Sequence, residues 1–353
     1  MLRKKKPASI FTLKNALTFL VMLGFFSVFT SSAQAKDVKL GIHIMQPEEI
    51  GGASQLFKAD ESQKDSWHYV TVPFTLDDLK HQKRWQEFFN QAKKQKIIPI
   101  VRLATRFQDG AWQVPTKKDV VSQIEFLSQL DWPTDKRYLI AYNEPNHAPE
   151  WGGQLDPTSY AQVLEFVADW AHTEGKNFIV LPAALDQAAP NGQATMEAYR
   201  FLNQMLANNP EVFKKIDVWN AHAYPNPGFL ASPTSTSKMS LKSFVYELDW
   251  LKEKVGRDLP VVITETGWKE TPFNRWRLED YYTYALKNIW SDSRVIAVTP
   301  FTLKGSPGPF SQFSFLDAVG KPTAQYHALQ TAIKRVKDLT QASKEIQNPE
   351  MES

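Results

Sequence analysis

The sequence predicts an α/β chain closed into a single (β/α)₈ (TIM) barrel over residues 36–340. Three observations predict it. Eight short runs, most of them rich in Val and Ile and unbroken by charge, suit strands buried on both faces of a parallel sheet. About eight helical stretches alternate with them, which is the repeat of a barrel. The rival, a doubly wound open sheet, carries a glycine-rich phosphate turn after its first strand, and Gly41-Ile42-His43-Ile44 supplies none.

The expected strands are Val38–Ile44, Trp67–Val72, Ile97–Leu103, Tyr138–Tyr142, Phe178–Leu181, Ile216–Ala221, Val261–Thr264 and Val295–Phe301. The clearest helix follows the fourth. Asp156 is a good N-cap and Pro157 a good first helical residue. Tyr160, Val163, Leu164, Val167, Trp170 and Ala171 then form one apolar stripe, and Gly175 suits the C′ position. Other helices are expected over Glu48–Ala59, Asp77–Lys96, Lys117–Leu130, Gln193–Ala207, Ser240–Val255, Arg277–Ser291 and Thr323–Leu339. The polar segment 341–353 is expected to fray.

Residues 1–35 differ from the rest. Arg3, Lys4, Lys5, Lys6 and Lys14 flank the start of an apolar run, Ala16–Phe29, which ends near Ala33-Gln34-Ala35. A basic region, a short apolar core and a small-x-small site together describe a Sec-type signal peptide cleaved before Lys36. The expected location is therefore secreted or periplasmic, with an N-terminal membrane anchor as the alternative. The whole chain has a formal charge of +3, but all five basic residues of this segment leave with it. The mature chain holds 36 basic and 38 acidic residues, which gives no reason to expect a nucleic-acid partner. With 0 cysteines, the sequence excludes disulfides, thiolate metal sites and a cysteine nucleophile. A monomer relying on one large core is expected.

Two strings carry chemistry. Tyr142-Asn143-Glu144-Pro145-Asn146-His147 follows the fourth strand, and Ile263-Thr264-Glu265-Thr266-Gly267-Trp268 lies on the seventh. Barrel enzymes keep their chemistry at the carboxyl ends of their strands. Strands four and seven lie three steps apart around an eight-membered ring, so their ends face each other across its mouth. Only such a fold brings together glutamates 121 residues apart. Paired carboxylates are the minimum apparatus for cleaving a glycosidic bond, separated by about 5–5.5 Å in a retaining enzyme.

The strand-four Asn-Glu-Pro and strand-seven Thr-Glu, with Ala221-His222-Ala223-Tyr224-Pro225 at strand six, resemble the clan A retaining glycoside hydrolases. The resemblance implies that Glu144 is the general acid/base and Glu265 the nucleophile. It further implies that Asn143 binds a sugar 2-hydroxyl, and that Tyr224 and His222 hydrogen-bond near the nucleophile. The Glu265-Thr266-Gly267-Trp268 run also resembles the nucleophile motif of bacterial and plant β-1,3-glucanases. At the end of strand eight, Thr299-Pro300-Phe301-Thr302-Leu303 has no tryptophan where many clan members place one under the sugar ring.

An acid needs a raised pKa and a nucleophile must stay ionised, so the two glutamates require opposite surroundings. Arg102, inside an apolar strand, needs a carboxylate partner, either Asp65 or Glu265. His43 either lines the floor of the site or packs at the barrel centre. Among the loop aromatics Trp112, Trp151, Trp268, Phe273, Trp276 and Phe310, Trp151 and Trp268 adjoin the motifs and are expected as sugar-stacking platforms. No HExxH spacing, P-loop or dinucleotide fingerprint appears, so neither metal nor cofactor is expected. The expected partner is a polysaccharide or oligosaccharide, with no membrane contact after signal cleavage. The expected function is an exported, endo-acting retaining hydrolase of a β-linked polysaccharide. The alternatives are a transglycosylase and a non-catalytic glycan-binding barrel in exopolysaccharide export or assembly.

Overall fold

Eight parallel strands form the ring: β1 (Gly41–His43), β2 (His68–Phe74), β3 (Ile97–Leu103), β4 (Arg137–Ala141), β5 (Phe178–Pro182), β6 (Trp219–Ala223), β7 (Val261–Thr266) and β8 (Val295–Val298). The computed structural model describes residues 39–58 and 66–347. The expected signal peptide, its cleavage site and Asp65 lie outside the described residues, as does the stretch from 348 onward.

β1 to β5 pair in sequence order, and β6, β7 and β8 pair likewise. Two seams close the circle. At the first, Val298 donates to the Lys39 carbonyl at 2.8 Å and His43 to the Pro300 carbonyl at 2.9 Å. At the second, Asp217 donates to the Val180 carbonyl at 2.9 Å and the Asn220 amide to the Pro182 carbonyl at 3.0 Å. Gly41 sits at a close approach, because a Cβ there would stand 2.1 Å from the Tyr69 carbonyl oxygen.

The two-residue period of the strands sorts their side chains. Ile100, Tyr138, Ile140, Leu181, Val262 and Ala297 fill the barrel interior. Their neighbours Val101, Leu139, Val180, Val261 and Ile263 face the helices. Those helices are α1 (Ile50–Lys58), α2 (Gln82–Lys94), α3 (Lys117–Ser128), α4 (Pro157–Thr173), α5 (Ala198–Asn208), α6 (Ser243–Val255), α7 (Leu278–Asn288) and α8 (Ala324–Gln347). On α4 the Asp156 carboxylate accepts from the Ser159 amide at 2.9 Å, and Tyr160, Leu164, Val167 and Ala171 are buried. Gly175, at φ 62°, takes the left-handed C′ position that favours glycine.

Several boundaries move from the sequence expectation. The single helix expected over Asp77–Lys96 breaks into a 3₁₀ turn, Leu76–Lys80, and α2. Asp78 turns back to accept from the Thr75 amide and hydroxyl at 2.8 and 2.7 Å, ending one helical start before the next begins. α5 starts only at Ala198, where the Glu197 carboxylate caps the Arg200 amide at 2.7 Å. The C-terminal segment expected to fray from Gln341 instead continues α8 to Gln347. No glycine or proline interrupts that run, and its residues are good helix formers. A two-stranded hairpin, Phe107–Gln108 with Ala111–Trp112, lies in the loop after β3.

β6, which carries His222, begins against a buried acid. Trp219 Nε1 donates to Glu247 Oε2 at 2.9 Å, and Glu247 is only 1% exposed. Burial raises the Glu247 carboxyl from 4.5 to about 7. A raised acid keeps its proton in the folded chain and releases it earlier in the unfolded one. Its stability cost therefore accrues as pH rises from about 4.5 to about 7 and stays constant above. Glu247→Gln keeps an acceptor for Trp219 and removes the ionisation. Relative to wild type, it should gain up to about 3 kcal/mol of stability between pH 4 and pH 8. Chemical denaturation at both pH values checks this; an equal difference at the two contradicts it.

Candidate active site

β3, β4, β6 and β7 converge on one carboxylate at the mouth of the barrel. Arg102 shares the parity of Ile100, so it points inward near the end of β3. Its Nη1 donates to Glu265 Oε1 at 2.7 Å and to Asn143 Oδ1 at 2.8 Å. Tyr224 donates its hydroxyl to Glu265 Oε2 at 3.0 Å. Asp65 is not needed to account for the Arg102 charge.

Strict alternation along β7 would aim Val262 and Thr264 inward and Glu265 outward. The register between β6 and β7 shifts at this point: Ala221 faces Ile263, but His222 faces Glu265. A bulge of one residue re-aims the side chain that follows it. Thr264 remains inside, donating its hydroxyl to Asn220 Oδ1 at 2.6 Å, while Glu265 also turns to the mouth. Glu144 reaches the same place by another route. Tyr142 takes φ 72°, in the left-handed region that costs a non-glycine residue about 1–2 kcal/mol. Its ring is buried, and its hydroxyl donates to Gln123 Oε1 at 3.2 Å, which holds the turn and presents Asn143 and Glu144.

His222 stands between the two glutamates. Its Nδ1 lies 2.6 Å from Glu144 Oε1 and 3.8 Å from Glu265 Oε2. One donor atom from each of the three residues falls within 4.8 Å of the other two. Protonated, His222 would itself place a positive charge between the two carboxylates. Burial disfavours charge on His222, yet the Glu265 and Glu144 carboxylates outweigh burial and raise its pKa. Burial likewise opposes ionisation of Glu265, but the His222 and Arg102 charges hold its carboxyl well below the usual carboxylate range. Burial keeps Tyr224 protonated far above its ordinary range, so it stays a donor.

His43 belongs to the floor of this site. It is fully buried, with Nδ1 3.4 Å from the Thr264 carbonyl and 3.7 Å from Glu265 Oε1. Burial and then the Arg102 charge lower its pKa to about 3, so it is a neutral imidazole. Its ring meets Phe301 edge-on at 5.0 Å.

The structure brings together His43, Arg102, Asn143, Glu144, His222, Tyr224 and Glu265, and it separates the two tryptophans from them. Trp268 is 0% exposed, packs on Tyr281 and Tyr282 at 5.2 and 5.3 Å, and donates to the Ala231 carbonyl. Trp151 is 1% exposed, between Tyr142 and Tyr160. Both indole faces are used inside the protein, so neither offers a platform to a sugar. The neighbouring chain is anchored by them instead.

Three residues not singled out in the sequence join the site. Glu150 hydrogen-bonds the Asn143 side chain, and its carboxyl is raised by burial and by the Glu144 charge. His147 pairs with Asp186 at 3.0 Å, and that hydrogen bond raises the imidazole. The readable signal for His147 is its place in the Asn143-Glu144-Pro145-Asn146-His147 string after β4. Nothing in the local pattern marks Asp186.

The profile of the glycosyl hydrolase catalytic core matches residues 79–327, more than two thirds of the chain. The chain belongs to that family. No curated protein sequence matches it. Among solved structures it is similar to a monomeric β-xylosidase from Caulobacter crescentus CB15, at TM-score 0.60 and 14% identity over 83% of this chain and 68% of that one. An endo-β-1,4-glucanase from Xanthomonas axonopodis pv. citri is similar at TM-score 0.54 and 14% identity, covering 84% of this chain and 99% of that one. An endo-β-1,3-glucanase from Pseudomonas viridiflava is similar at 0.51 and 15%, covering 84% and 98%. Identities this low speak for the shared barrel fold.

Proposed function

We propose that this glycosyl hydrolase core is a retaining hydrolase of a β-linked polysaccharide, with Glu265 as nucleophile and Glu144 as acid/base. The observation that carries this reading is the approach of the two carboxylates at one mouth, each with an oxygen within 4.8 Å of the other. A retaining pair has carboxyl groups about 5–5.5 Å apart, whereas an inverting pair leaves room for water. The surroundings of Glu265 support its part. Glu265 is held ionised by Arg102, His222 and Tyr224. Glu144 makes one short hydrogen bond, at 2.6 Å, with His222 Nδ1.

In the first step Glu265 attacks the anomeric carbon, and the bond to the leaving oxygen breaks as that oxygen takes the proton from Glu144. Asn143, fixed by Arg102, faces the sugar 2-hydroxyl. In the second step Glu144 takes a proton from water, which attacks the glycosyl-enzyme and frees Glu265. A sugar acceptor in place of water would give transfer instead. Endo-action on a polymer is part of the same proposal.

Glu265→Ala should abolish the first step on every substrate. Glu144→Ala should lose about 10²–10⁴-fold on poor leaving groups, yet still form the covalent intermediate from an activated aryl glycoside. Azide should then restore turnover of Glu144→Ala and give a β-glycosyl azide, because an anionic nucleophile needs no base. Rescue of Glu265→Ala alone, to an α-product, would reject the acid/base role of Glu144. Undiminished activity in both variants would reject the catalytic reading.

Export belongs to the same proposal, because polymeric glycans lie outside the cytoplasm. It rests on the Ala33-Gln34-Ala35 site after the apolar run. No helix among the described residues is long and apolar enough to cross a membrane. N-terminal sequencing of protein recovered outside the cytoplasm should read from Lys36. Recovery of intact chain solely with membranes would favour an anchor.

A further inference from the structure

The loops around the mouth divide by charge. Those following β1 to β5 hold ten acidic and two basic residues; those following β6 to β8 hold seven basic and two acidic. The acidic half is internally neutralised in part. Arg84 pairs with Glu48 and Asp78, Arg106 with Asp77, and His147 with Asp186. In the basic half, Arg275 pairs with Glu270 and the Lys304 charge acts on Glu49 across the division, while Lys269 and Arg277 form no salt bridge among the described residues.

A basic surface is most often only a solvated face. A second observation sets this one apart. Of nine exposed large apolar residues among the described residues, six lie on the three basic loops. Phe273 is 87% exposed, Trp276 69% and Phe310 41%. The Arg277 guanidinium lies over the Trp276 ring at 4.4 Å, an arrangement that leaves guanidinium N–H groups free for a carboxylate. The loops form one wall, since Lys269 donates to the Phe229 carbonyl and Glu270 to the Gln312 carbonyl. That wall continues into the site: Phe229 meets Tyr224 edge-on at 5.0 Å, and Tyr224 bonds Glu265.

We infer that the wall formed by the loops after β6, β7 and β8 binds the chain of an anionic glycan, a β-linked polysaccharide carrying carboxylates, as it enters the site. The inference rests on the hydrolase reading above and names its substrate class. Exposed aromatic faces stack on the C–H faces of sugars, and the cations beside them meet the carboxylates between stacked units. A long-range field of one sign also concentrates substrate of the other. Continuity with Glu265 favours a glycan over a lipid surface, which would not need to lead into the mouth.

The test uses neutral β-1,3- and β-1,4-glucans beside the same polymers oxidised at C6 to carboxylates, so that linkage is constant and charge varies. In gels containing polysaccharide, the oxidised polymer should retard the protein and its parent should not. Lys269→Glu/Arg277→Glu should abolish the retardation. Where a linkage is cleaved, kcat/KM should be about tenfold higher for the oxidised polymer at about 0.01 M salt. The advantage should shrink near 0.15 M, where the Debye length falls to about 8 Å. The double variant should cleave the neutral parent like wild type. Equal retardation by both polymers, or an advantage that survives the double variant, would overturn the inference. Binding to phosphatidylglycerol vesicles without retardation by the oxidised polymer would overturn it in favour of a membrane surface. Selective retardation with no cleavage of any polymer would leave the wall standing and count against the hydrolase reading.

Discussion

The structure depends on keeping a buried carboxylate charged. Glu265 sits at 9% exposure, where desolvation alone would favour the neutral acid. The His222 and Arg102 charges reverse that preference, and Arg102 acts from inside the barrel, itself largely out of water. A buried charge left without its partner costs about 3–5 kcal/mol, so the two residues are bound to one another's position. Because the same guanidinium nitrogen also holds Asn143, this pair ties β3, β7 and the turn after β4 into one unit.

Around that pair the local irregularities acquire a physical purpose. The left-handed Tyr142 and the register shift between β6 and β7 each depart from regular geometry. One exposes Asn143 and Glu144 at a strand end; the other turns Glu265 from the helix layer to the mouth. His222 then fills the space between two carboxylates that would otherwise repel each other. Strain is retained where packing over-determines it, here by the buried rings of Tyr142, Trp151 and Tyr160.

The fold was legible because most of the strands are short apolar runs with little charge, and because parallel sheets hide both faces. Glu144 and Glu265 were legible because their strings end strands four and seven. What escaped was orientation. Trp151 and Trp268 adjoin the motifs in sequence, but the chain turns their rings into the helix layer. The bulge that aims Glu265 leaves no mark on the sequence, since alternation alone predicts the opposite face. Asp186 and Glu150 enter through loops whose course depends on tertiary contacts, as in the Asn146 amide bond to the Asp186 carbonyl at 3.0 Å. Polarity alone marks 341–353 for fraying, whereas helix propensity continues α8 to Gln347.

The charge division of the mouth follows from the same topology. A barrel sets loops from distant parts of the sequence side by side, so a nearly balanced chain can still present two faces of opposite sign. The claim on which the account turns is that Glu265, held ionised by Arg102, carries the glycosyl group. The most direct measurement is mass spectrometry of protein inactivated by a 2-deoxy-2-fluoro-β-glycoside with an activated leaving group, whose second step is slow. A glycosyl adduct on the peptide containing Glu265, absent in Glu265→Ala, is the predicted result. An adduct on the Glu144 peptide, or inversion of configuration in the released sugar, would contradict it.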